Sequence, residues 1–257
     1  MKKVIDFARY SSIKIGPICE VEVIEGIDPR YEELFLVGKA NNLLLSPTPP
    51  PLAILSKNFD YIRIQEDELI VGAATPTGKV VSFCRHHDIA GFEFLAKLPG
   101  TIGGGVRMNA GVKEYEIKNV LRWVRTHKGK ILAKDLGLEY RKSSIDSIVY
   151  EAGFTLQRGY SEKLRKQLLS LRSNQPKEPS AGSVFKNPPG EYAGRLIEAV
   201  GLKGKRVGNM AFSPIHANFL VNLGGGRYEE AMALIEEAKE RVLNRYKIEL
   251  QEEIIIL

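Results

Sequence analysis

Short apolar-rich runs predict strands at Glu20–Ile24, Leu34–Val37, Tyr61–Ile64 and Leu69–Val71, the last stopped by Gly72. A helix follows, with Thr75 as N-cap and an end near His87. Pro76 suits its first position, where no amide donor is needed. Strands at Val120–Thr126 and Lys130–Ala133 flank His127-Lys128-Gly129, a hairpin signal. Further on come a helix over Tyr192–Val200, stopped by Gly201, and a strand at Phe219–Asn222 that leads into Gly224-Gly225-Gly226. Ala231, Leu234, Ile235 and Ala238 share one face of a helix over Tyr228–Arg245. Ile254-Ile255-Ile256-Leu257 is short and β-branched, and reads as a strand. Helices and strands that mix without regular alternation predict an α+β fold.

Two proline-rich seams interrupt this pattern. Ser46-Pro47-Thr48-Pro49-Pro50-Pro51 is a stiff extended connector, and Asn174 to Pro179 holds two prolines that exclude a continuous helix. The 257 residues suit one large domain or two to three small ones. No apolar run approaches the roughly 20 residues of a membrane span. Asp6, Arg9 and Tyr10 stand where a signal peptide would need an apolar stretch. Cys19 and Cys84 are too few for a disulfide framework or a metal site, and favour a reducing, cytoplasmic location.

Composition changes the picture little: 44% hydrophobic and 26% charged is ordinary for a soluble globular protein. The net charge of +6 is dispersed. Its densest stretch, Lys163 to Lys177, includes Lys163, Arg165, Lys166 and Arg172 on an expected helix. That is a solvated face or an attractor for a nucleotide diphosphate. Aromatic stacking patterns and known nucleic-acid modules are missing, so no nucleic-acid partner is expected.

Several segments could carry chemistry. In Leu98 to Gly111, glycines at 100, 103, 104, 105 and 111 let the backbone approach a ligand and aim amides at phosphate oxygens. Composition alone fits a buried tight turn equally well, and the spacing is not that of a dinucleotide-binding fingerprint. Val37 to Leu44 holds a glycine and two asparagines that could grip a pyrophosphate, although an ordinary turn has the same look. Pro179 to Pro188 brings Ser183, Lys186 and Asn187 near one point, or else makes Ser183 a helix N-cap. Arg141, in Tyr140-Arg141-Lys142-Ser143-Ser144, is expected at a strand edge, and Glu253 inside the final strand; such residues are normally solvated. His86-His87-Asp88 lacks a matching metal-ligand set, His216 orders a loop or touches a ligand, and Cys84 faces the core.

The order and spacing of these segments resemble the UDP-N-acetylenolpyruvoylglucosamine reductase family of peptidoglycan synthesis. The resemblance rests on residues 98–111, 140–144, 179–188, 193–208, 216–222 and 250–254, so it covers nearly the whole chain. It implies a two-part FAD-binding region of the vanillyl-alcohol-oxidase-like type plus a smaller α+β substrate-binding domain. The parts would be residues 1–50 joined by the strand 246–257, then 51–174, then 175–245. The short stretch between Arg141 and Ser183 implies the compact type that lacks an inserted tyrosine loop.

The same resemblance implies NADPH and UDP-N-acetylglucosamine enolpyruvate as reactants, no membrane partner and a monomer. It gives Ser183 the role of proton donor, and Arg141 and Glu253 the stabilisation of an enolate-like intermediate. It places Gly38, Ala40, Asn41, Asn42, Gly100, Thr101, Ile102, Gly103, Gly104, Asn109 and Gly111 at FAD. Tyr140, Arg172, Lys186 and Asn187 would contact the nucleotide substrate, and no residue would hold a metal. Ala40 and Lys97 stand where the family usually has glycine, so either the turn at Ala40 differs or strain is tolerated there. Ser11 to Gly16 fits only loosely. Competing readings are another FAD oxidoreductase on the same scaffold, which the 179–188 segment speaks against, and a basic nucleic-acid-binding protein without catalysis.

Overall fold

The strand expected at Leu69–Val71 runs from Glu68 to Gly72 and lies inside a five-stranded antiparallel sheet. Its order is Gly129–Leu132, Leu121–Thr126, Glu151–Thr155, Glu68–Gly72 and Ile62–Gln65. Alternate residues divide its faces. Leu69, Val71, Val124, Ala152 and Phe154 bury against Val80, Val81 and Cys84 of the helix Thr77–His86, and against Ile102 and Val106. Each such side chain contributes about 1.5–3 kcal/mol relative to exposure. On the opposite face Glu151, only 4% exposed, accepts from Tyr61 Oη at 2.6 Å, Arg63 at 2.7 Å and Arg125 Nε at 3.0 Å. The indole of Trp123 lies flat enough on Gly153 that a Cβ there would run into it.

The computed structural model describes all residues, 1–257, and the chain divides into two compact units. The first unit comprises 1–3, 21–39 and 51–173 and the second 4–20, 40–50 and 174–257. The breaks after Pro50 and Ser173 fall on the two seams. Residues 1–50, expected as one piece, are shared between the units. The first unit also holds the strand Leu52–Leu55, with Glu22, Val23 and Ile24 and the strand Phe35–Leu36 parallel to it on either side.

In the second unit, strands Ser180–Ser183, Phe219–Asn222, Met210–Phe212 and Arg206–Val207 form an antiparallel sheet in that order. Helices Ala193–Ala199 and Tyr228–Tyr246 join its core through Leu196, Ile197, Ala231, Leu234, Ile235, Ala238 and Val242. Gly201 follows the shorter helix at φ 76°, the left-handed stop its position implied. Ile255–Ile256 pairs parallel with Leu43–Leu44, and the Leu257 amide donates to Leu44 O at 3.0 Å.

Some expectations need correction. The first helical residue is not Pro76 and the cap is not Thr75: the helix begins at Thr77 and Pro76 is its cap. Thr75 Oγ1 instead donates to Tyr61 O at 3.0 Å, a carbonyl that also accepts from the Gly72 amide at 2.9 Å. The glycine-dense segment contains a helix, Ile102–Arg107, capped by Thr101. Ser183 ends a strand and caps no helix. Arg141 sits in a turn at φ 54°, and Glu253 precedes the final strand instead of lying within it. No helix is long and apolar enough to cross a membrane.

Candidate active site

In the first unit the glycine segment packs as tightly as its composition suggests. The amides of Ile102 and Gly103 donate to Thr75 O and Ala73 O at 3.0 and 2.9 Å, and those of Gly104 and Gly105 to Thr101 Oγ1 and Thr101 O. These four donors are used inside the protein, as in the buried tight turn that the composition fits equally well. Gly103 has a different purpose. A Cβ there would lie 3.0 Å from Ala73 Cβ, so glycine lets the short helix sit directly on the strand end.

Asn109, wholly buried at φ 44°, has a saturated side chain. Its Nδ2 donates to Glu116 Oε2 at 3.1 Å and Glu139 O at 2.9 Å, and its Oδ1 accepts from the Lys118 amide at 2.9 Å. Glu139 opens the turn that carries Tyr140 and Arg141, closed by a Glu139–Lys142 bridge. Arg141 reaches back to donate to Gly111 O at 2.8 Å, and its guanidinium lies 5.0 Å from the centre of the Tyr140 ring. Thus Asn109 and Gly111, expected at FAD, hold the Arg141 turn in place. Arg172 is in reach of the same charge: burial, and then the Arg141 cation, lower its pKa. A half-buried guanidinium held near a second one suits a polyanionic ligand.

In the second unit Ala40 adopts φ 48°, so the left-handed turn survives without its glycine and strain is tolerated. Asn42 Nδ2 donates to Glu253 O at 2.8 Å. The Glu253 amide donates to Val184 O at 2.8 Å, which places Glu253 one residue from Ser183 across a single hydrogen bond. Both are partly exposed. Lys186 is partly exposed and Asn187 fully so. Asn187 Oδ1 accepts from the Ala193 amide at 3.1 Å, capping the helix Ala193–Ala199 from outside. His216 is half-buried, and burial lowers its pKa; its Nδ1 accepts from the Asn218 amide at 3.3 Å, which bears out the loop-ordering role.

The sequence reading passed over Asn218. Its side chain is buried and bonds both the amide and the carbonyl of Phe185, at 3.0 and 2.7 Å. The available signal was a polar residue immediately before the apolar run Phe219-Leu220-Val221. No group of His, Cys, Asp and Glu side chains is arranged to hold a metal ion.

Comparison with known proteins agrees with this layout. Residues 175–257 match the family described as UDP-N-acetylenolpyruvoylglucosamine reductase, C-terminal domain. A UDP-N-acetylenolpyruvoylglucosamine reductase of Helicobacter pylori (strain J99) is 48% identical over 258 residues, covering 100% of this chain and 99% of that one. One of Campylobacter jejuni (strain RM1221) is 40% identical, covering 99% of this chain and 100% of that one. The crystal structure of UDP-N-acetylenolpyruvylglucosamine reductase from Thermus caldophilus matches with a TM-score of 0.87 at 30% identity, covering 100% of this chain and 98% of that one. Fold and full-length likeness together define an α+β oxidoreductase. More narrowly, the chain belongs to the UDP-N-acetylenolpyruvoylglucosamine reductase family.

Proposed function

We propose that the protein reduces UDP-N-acetylglucosamine enolpyruvate to UDP-N-acetylmuramate with NADPH, by way of FAD, for peptidoglycan precursor synthesis in the cytoplasm. The observation that carries this reading is the full-length likeness to this reductase family, and the bond from the Glu253 amide to Val184 O supports it by joining the backbones of the Ser183 and Glu253 segments. FAD also fits the residues present. Asn41 Oδ1 is buried without a hydrogen-bond partner, a cost that a ribityl or ribose hydroxyl would remove. Gly38, Ala40, Asn41 and Asn42, with Gly100 to Gly104, would line the cofactor, while Asn109 and Gly111 act behind it.

When bound, FAD supplies the two-electron relay between NADPH and the enolpyruvyl group, a task no side chain can perform. Hydride addition to the terminal carbon leaves electron density on the carbon that bears the ether oxygen and the carboxylate. Ser183 Oγ donates a proton there. A hydroxyl is a weak acid, but a developing carbanion is a strong base, so placement matters more than acidity. The Arg141 fork pairs with the substrate carboxylate and stabilises its growing charge. Glu253 takes part as a neutral carboxyl or through a water, since an ionised one would repel the same anion. Tyr140, Arg172, Lys186 and Asn187 orient the nucleotide.

The test has two stages. The purified protein should carry or take up FAD and turn over NADPH repeatedly only when the enolpyruvyl nucleotide is present. A colourless protein that cannot be reconstituted would sink the reading. In Ser183→Ala, NADPH should still reduce the flavin, while reoxidation by the enolpyruvyl substrate slows on the order of 10²–10⁴-fold. Normal reoxidation would remove Ser183 from its role.

A further inference from the structure

We propose that Asn218 is a positioning residue for proton delivery: its carboxamide fixes the Val184-Phe185 backbone and so sets where the Ser183 hydroxyl stands relative to Glu253. The inference rests on the role given to Ser183 above and adds a residue to it.

The strand Ser180–Ser183 pairs with Phe219–Asn222 at Ser180↔Val221 and Ser183↔Phe219, with a register shift between the two pairs. Past Ser183 the regular ladder stops. The Val184 amide donates to Asn218 O at 2.8 Å, the Phe185 amide to Asn218 Oδ1 at 3.0 Å, and Asn218 Nδ2 donates to Phe185 O at 2.7 Å. The opposite edge is held by another segment. Val184 O accepts from Glu253 N at 2.8 Å, and the Lys186 amide donates to Gln251 O at 2.8 Å.

Every one of these backbone groups therefore has a partner, and Asn218 supplies the whole of one side. Ser183 itself pairs with Phe219, so the position of the hydroxyl is set by that pairing together with the clamp immediately downstream.

A carboxamide is the side chain that suits this place. It offers one donor and one acceptor, spaced to meet the N–H and C=O of a single residue. Asn218 is 3% exposed among Val184, Phe185, Ala217 and Leu220, where an unmatched polar atom is costly. Alanine would strand both Phe185 groups. An ionised aspartate would turn an oxygen toward Phe185 O, and only its protonated form restores the donor.

The experiment uses the FAD-loaded enzyme and separates its two half-reactions. In Asn218→Ala, reoxidation by the enolpyruvyl nucleotide should fall roughly 10–100-fold while flavin reduction by NADPH stays within about twofold. The Phe185 amide should exchange with solvent deuterium faster than in the wild type. In Asn218→Asp, reoxidation relative to wild type should recover as pH falls and the new carboxyl takes up a proton. The ionisable groups nearby, His216, Lys186, Glu252 and Glu253, are common to both proteins, so the parallel wild-type profile subtracts them. If Asn218→Ala fails to fold, Asn218→Asp and its pH profile carry the test.

Normal reoxidation in folded Asn218→Ala, an equal loss in both half-reactions, or a flat relative profile for Asn218→Asp would each overturn the proposal. Should the wild type itself fail to couple NADPH oxidation to the enolpyruvyl substrate, the functional reading falls instead. Phe185 exchange then still decides whether the clamp exists.

Discussion

Arg141 and Ser183 are carried by backbones of opposite character. Arg141 lies in an irregular turn at φ 54°, tied down by its own bond to Gly111 O and by Asn109 Nδ2 on Glu139 O. Ser183 ends a strand whose continuation is paired on both edges. A buried asparagine serves each, Asn109 through a carboxylate and a loop carbonyl, Asn218 through one residue's amide and carbonyl. The difference teaches how the labour divides. A guanidinium on a tethered turn can adjust to an incoming carboxylate, whereas a hydroxyl that must meet one carbon is better held rigid.

The largest expected effect tests the turn itself. Arg141→Ala should lower enolpyruvate-dependent NADPH oxidation on the order of 10²–10³-fold. A loss of less than about tenfold would mean that the tethered guanidinium contributes little to charge stabilisation. Next comes its support. Asn109→Ala strands a carbonyl and an amide and takes one donor from Glu116, which keeps Lys118 Nζ at 2.9 Å, and should destabilise the protein by about 2 kcal/mol in urea titration. An unchanged midpoint would show that water replaces the asparagine.

A smaller effect concerns the support beneath Asn218. Burial lowers the pKa of His216 below its ordinary value of 6.5. Between that lowered value and 6.5 the unfolded chain binds more protons than the folded one. The residue's contribution is therefore full above that window and fades as pH falls through it. His216→Gln should flatten the decline of the urea midpoint on the acid side of neutrality, and an unaltered slope would count against burial as the cause.

The smallest effects compare the units directly. Ala40 and Lys97 hold φ 48° and 56°, one in each unit. Replacing either with glycine relieves left-handed strain but loosens the unfolded chain, for a net gain on the order of 0.5 kcal/mol in thermal unfolding. A loss at one site only would show that its side chain packs usefully.

Much of the fold was legible where one pattern dominated. Phe219–Asn222 and the helix from Tyr228 fall where apolar runs and helical spacing put them. Glu151–Thr155 was missed because Gly153 reads as a breaker, yet the Trp123 ring requires it. The helix Ile102–Arg107 was hidden by three consecutive glycines, which oppose helix until tertiary contact with Ala73 favours it. In the candidate site, motif order singled out stretches of chain but not the contacts made within them. The partners of Asn109, Asn187 and Asn218 were invisible, since a carboxamide's bonds are decided by what folding brings beside it.

The pairing of Ile255–Ile256 with Leu43–Leu44 has a consequence for biosynthesis. Asn42 and Glu253 are 211 positions apart, so a ribosome moving at roughly 5–20 residues per second delivers the second about 10–40 s after the first. Throughout that interval Leu43-Leu44-Leu45 is an apolar strand without its sheet partner. Nascent chains should therefore need shielding by chaperones until translation reaches the segment that covers them.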